Sequence, residues 1–84
     1  MYRVKVQILP KDGVFDPQGQ TVKSALERLG FGGIESVRIG KLIEMILNAE
    51  DGQEVRDRVV AMCEKLLANP VVESYRVLEV EEIS

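Results

Sequence analysis

Apolar and polar residues alternate through the first nine positions. Tyr2, Val4, Val6 and Ile8 share one side and Arg3, Lys5 and Gln7 the other, so a strand is expected over residues 2–9. Pro10 and Gly13 interrupt it. Asp16-Pro17 is a helix-start signal, because the carboxylate can accept from free first-turn amides and proline suits the first helical position. Val22, Ala25, Leu26 and Leu29 recur at helical spacing, which predicts a helix over residues 17–29 with Gly30 as a left-handed cap. After Phe31-Gly32-Gly33, residues 34–39 read as a second strand. Residues 42–47 read as a third, and Asp51 with Glu54 resembles a capping box. The stripe Val55, Val59, Met62, Leu66, widened by Cys63 and Leu67, carries a second helix to about residue 68. Asn69-Pro70 stops it, and residues 71–80 form the last strand before an acidic tail.

The order β-α-β-β-α-β, in one domain spanning residues 1–84, predicts an α+β fold: a ferredoxin-like two-layer sandwich or a related variant. Gly40-Lys41 admits two connections. A glycine in the first central position suits a hairpin turn. A bulge or bend in one long strand, its halves serving different sheets, fits as well.

The run Leu42-Ile43-Glu44-Met45-Ile46-Leu47 is apolar on both faces apart from Glu44. A chain this short covers one face of a sheet with helices, so Leu42 and Ile46 are left for a partner. The last strand repeats the pattern, with Leu78 and Val80 expected on the open side. The candidate subunit interface is therefore Leu42, Glu44, Ile46, Leu78 and Val80, with Arg38 and Lys41 supplying orienting charge. Self-association through this face is the expectation.

Composition narrows the chemistry. There is no histidine and only one cysteine, Cys63, which excludes imidazole shuttles, histidine triads, internal disulfides and cysteine-cluster zinc sites. Cys63 is expected to behave as a small buried hydrophobe. Net charge is −3, against nonspecific nucleic-acid binding. Residues 1–41 hold seven Lys/Arg and four Asp/Glu, residues 42–84 four and ten, a split of +3 against −6 that suits charge-complementary docking. No run is long enough to span a bilayer and the N-terminus lacks a signal-peptide core, so a cytoplasmic protein is expected. The Gly30–Gly33 loop precedes a strand rather than a helix, which makes it a turn rather than a phosphate cradle. Catalytic, cofactor and metal sites are expected in none of these residues.

Three segments together resemble one family. Gly13-Val14-Phe15-Asp16-Pro17-Gln18-Gly19, then Val37-Arg38-Ile39-Gly40-Lys41 with Ile43-Glu44, then residues 63–71 with Glu73 and Tyr75, are similar to PurS, the small subunit of phosphoribosylformylglycinamidine synthase. Phe15, commonly leucine in that family, and Phe31-Gly32-Gly33 are modest departures. The resemblance implies an accessory subunit of a purine-biosynthesis ligase, forming a homodimer or homotetramer that joins a synthetase, PurL, to a glutaminase, PurQ. It also implies ammonia passed between those subunits, ATP and Mg on the large subunit, and none in this chain. A small-molecule-binding regulatory module of ferredoxin-like fold is the alternative.

Overall fold

The computed structural model describes residues 1–83. Three strands, β1 (Tyr2–Pro10), β2 (Lys41–Leu47) and β3 (Glu73–Glu82), form an antiparallel sheet in the order β2-β1-β3. The helices are α1 (Pro17–Arg28) and α2 (Gly52–Met62), the latter running on as a π-helical turn over Cys63–Leu67. The architecture is α+β, as expected. No helix among the described residues is long and apolar enough to cross a membrane.

The core follows the first alternation. Tyr2, Val4, Val6 and Ile8 are buried beneath Val55, Val59, Cys63 and Ala68. The helix stripe differs from the expected one. It runs Val55, Val59, Cys63 in steps of four, and the π turn, closed by Ala68 N–H donating to Cys63 O at 3.1 Å, carries it on to Leu67 and Ala68. Met62 is left at the edge of this stripe, and the π turn sets Leu66 aside at 82% exposure.

Both helix starts hold, each with an altered partner. Asp51 Oδ1 accepts from Glu54 N–H at 2.9 Å, while Glu54 Oε2 takes the Glu50 amide at 2.6 Å, one residue earlier than a standard capping box. At α1 the exit is regular: Gly30, with φ 96°, donates to Glu27 O, and Phe31 N–H returns to Leu26 O. These two bonds make a Schellman cap.

Two expectations fail. Residues 34–39 are not a strand, so Gly40 is not a hairpin turn; the segment has no regular secondary structure and pairs with no strand of its own chain. Nor do both helices cover the sheet. Only α2 packs on it, and α1 makes no substantial contact with any strand or with α2. The radius of gyration is accordingly 16.2 Å, with extents of 50 × 27 × 15 Å, against about 12 Å for a compact chain of this length. Apolar periodicity shows that a helix needs an apolar neighbour; it does not say which molecule supplies it.

Candidate subunit interface

The pattern placed Ile43, Met45 and Leu47 on one face of β2 and Leu42, Glu44 and Ile46 on the other, and the sheet keeps that division. Ile43, Met45 and Leu47 pack against the core, while Leu42 (63% exposed) and Ile46 (52% exposed) stand on the open face. They sit opposite Gln7 and Arg3 of β1, and Glu44 sits opposite Lys5.

β3 departs from the expectation. Val6 pairs with Val77 and Lys5 with Glu79, so Leu78 is an extra residue in the ladder. This bulge shifts the alternation by one. Leu78 is left exposed, and Val80 turns to the helix side, where it packs against the core. Val80 is therefore not part of the open face.

That face is less apolar than β2 alone implies. Its centre is an ion-pair ladder, Arg3 Nη1 to Glu81 Oε1 at 3.8 Å and Lys5 Nζ to Glu79 Oε2 at 3.4 Å. The second pair lacks hydrogen-bond alignment, so Glu79 Oε2 receives no hydrogen bond. Leu42 and Ile46 flank the ladder on one side and Leu78 on the other. Arg38 and Lys41 lie elsewhere, at the end of β1: Arg38 Nη1 donates to Pro10 O at 3.1 Å and lies 3.4 Å from Asp12 Oδ1, and Lys41 pairs opposite Ile8. The predicted residues thus fall into three places rather than one patch.

A second uncovered surface lies on the helix side of β2. Met45, Ala61, Met62, Leu66 and Leu67, rimmed by Arg58 and Lys65, line a groove of about 580 Å³. It flanks α2 over the half of the sheet that no helix covers. Spacing predicts Met62 and Leu66 in the core; the stripe Val55, Val59, Cys63 leaves Met62 at its margin, and the π turn sets Leu66 outward. Across the molecule, α1 holds its own apolar residues without a seat: Leu29 is 73% exposed and Val22 is open as well. An apolar helix without a sheet and a sheet without a second helix occur in one chain.

Four titratable groups are shifted by their surroundings. Burial pushes the Cys63 thiol up, and burial with the neighbouring Glu64 carboxylate raises Tyr75. Burial likewise raises Tyr2, with Glu82, Asp51 and Glu54 adding to the effect. Asp16 is held below the usual carboxylate range, chiefly by the hydrogen bond from Ile39 N–H at 2.8 Å and then by the Gly19 amide. No first-turn amide meets full bonding geometry with it, so its main partner is the returning segment rather than its own helix. Among the described residues no group of three His, Cys, Asp or Glu could hold a metal ion.

Comparison with known proteins gives a consistent picture. The family profile described as PurS, phosphoribosylformylglycinamidine (FGAM) synthase, matches residues 3–82. The chain is 46% identical over 83 residues to phosphoribosylformylglycinamidine synthase subunit PurS of Bacillus subtilis, covering 99% of this chain and 96% of that protein. It is 42% identical over 83 residues to the PurS of Methanocaldococcus jannaschii, covering 99% of each. The crystal structure of the latter, one of the subunits of formylglycinamide ribonucleotide amidotransferase in the purine biosynthetic pathway, superposes with a TM-score of 0.85 over the whole of both chains. A chain in the structure of PurLQS from Thermotoga maritima, 34% identical, gives a TM-score of 0.80 over 98% of this chain and 96% of that one.

Proposed function

The chain belongs to the PurS family, subunits of FGAM synthase in purine biosynthesis, and from that premise we propose how it serves the complex. It acts as a non-catalytic assembly subunit. It self-associates and bridges the synthetase PurL and the glutaminase PurQ, so that ammonia released from glutamine reaches formylglycinamide ribonucleotide without escaping. ATP and Mg²⁺ belong to the large subunit in this reading, and the complex works in the cytoplasm. The PurLQS assembly of Thermotoga maritima supports the bridging role, because a relative of this chain resides there.

One observation carries the self-association: α1 and the groove beside β2 each lack what the other offers. Seating α1 of one copy on the groove of a second, and the reverse, satisfies both at once and closes with two-fold symmetry. The outer edge of β2 favours the same arrangement, since it has no proline or bulge to blunt it, unlike β3 with its bulge at Leu78. The open face, with charge at its centre and Leu42, Ile46 and Leu78 at its margins, is then free for the larger subunits. That composition suits a separable interface better than a permanent one.

Reconstitution tests the role. Glutamine-dependent amidine synthesis by the synthetase and glutaminase should require this chain, and full activity in its absence rejects the assembly function.

A further inference from the structure

Two segments that carry the family resemblance, residues 13–19 and 37–41, lie far apart in the chain and meet in space. Asp16 Oδ2 accepts from Ile39 N–H at 2.8 Å. Gly19, the one buried residue of α1, lies against the Val37 carbonyl; a Cβ there would strike that oxygen and come within 2.6 Å of Asp16 Oδ2. Arg38 holds the Pro10 carbonyl and Asp12 at the end of β1. Gly40 passes so close to β1 that a Cβ would collide with the Ile8 carbonyl. These attachments run in series from the sheet to residues 38 and 40, then through residues 37 and 39 to the first turn of α1.

We propose that this series is a brace that sets α1 outward in the protomer before any second copy is met. The inference rests on the reading that α1 seats on a neighbour, and it explains why α1 does not seat on its own sheet. The connections give α1 slack on both sides: extended, residues 11–16 reach roughly 20 Å and residues 29–40 roughly 40 Å. A tethered helix reaches its own groove at an effective concentration on the order of millimolar. Without the brace, self-closure therefore outcompetes a neighbour present at micromolar concentration. Polar and backbone contacts do this work, since α1 buries no apolar side chain fully.

Hydrogen exchange read by mass spectrometry across a dilution series tests the proposal. Protection of residues 37–40 should persist on dilution, whereas protection of the groove peptide around Met62 and Leu66 should fall as copies separate. The double variant Asp16→Ala/Arg38→Ala should lose protection at residues 37–40 by at least tenfold, and its self-association should weaken at least tenfold. Asp16→Asn, which keeps an acceptor oxygen, should restore most of both. Gly40→Ala should act like the double variant, and where it fails to fold the double variant alone decides. The brace is overturned if protection of residues 37–40 vanishes with dilution alongside the groove, or if the double variant associates within twofold of wild type. A wild-type chain with no dilution-dependent groove protection removes the neighbour-seating reading instead, while the protection of residues 37–40 still judges the brace.

Discussion

Leu66 separates association from folding, because it touches little in its own chain. At 82% exposure, its replacement by aspartate should change the stability of the isolated protomer by no more than about 0.5 kcal/mol. Its value appears only when α1 of a second copy covers the groove. Complete burial of a leucine side chain is worth roughly 1.5–3 kcal/mol, and most of that remains to be gained here. A two-fold assembly has two such sites, so Leu66→Asp should cost about 2.5–5 kcal/mol of association. That is a weakening of roughly two to four orders of magnitude, before any added penalty for burying a carboxylate. Sedimentation velocity from nanomolar to tens of micromolar reads the effect directly, with circular dichroism melting as the control for folding. An association constant within threefold of wild type refutes the seating of α1 on this groove.

Ile46→Asp on the open face should leave self-association within a few-fold of wild type and lower co-purification with the synthetase and glutaminase; loss of self-association would assign the two faces the other way. Ile8 is fully buried at the centre of the core, so Ile8→Ala should lower unfolding free energy by about 2–5 kcal/mol in urea titration, and a change below 1 kcal/mol contradicts the core assignment. Burial pushes the Cys63 thiol up, so thiolate is scarce at neutral pH and 5,5′-dithiobis(2-nitrobenzoate) should react slowly until denaturant opens the chain; rapid stoichiometric labelling of the native protein would contradict this.

The core strand was legible because its period is unambiguous: Tyr2, Val4, Val6 and Ile8 have one buried side and no competing pattern. The helix boundaries were legible for a similar reason, as Asp51, Gly30 and Asn69 each leave the backbone few choices. Three features were hidden. The bulge at Leu78 depends on how β3 registers against Lys5 and Val6, which local alternation cannot reveal, and it sends Val80 to the core. The π turn at residues 63–67 inserts an extra residue into the helical repeat and turns Leu66 outward. Residues 34–39 have strand composition yet meet no strand in their own chain, because pairing is a property of neighbours rather than of sequence. Of the candidate interface residues, Leu42, Glu44 and Ile46 stand on the open face as their alternation implies, while Arg38 lies at the end of β1 against Pro10 and Asp12. Asp16 reads in sequence only as a helix cap, since nothing in a linear sequence links it to Ile39 twenty-three positions away, whose amide donates to it.

Isotope-filtered nuclear Overhauser spectroscopy on a mixture of labelled and unlabelled copies tests the exchange of α1 most directly. Methyl groups of Val22, Leu26 and Leu29 in one copy should show cross-peaks to Met62 and Leu66 of another. Cross-peaks arising only within a copy, or none to the groove at all, would contradict it.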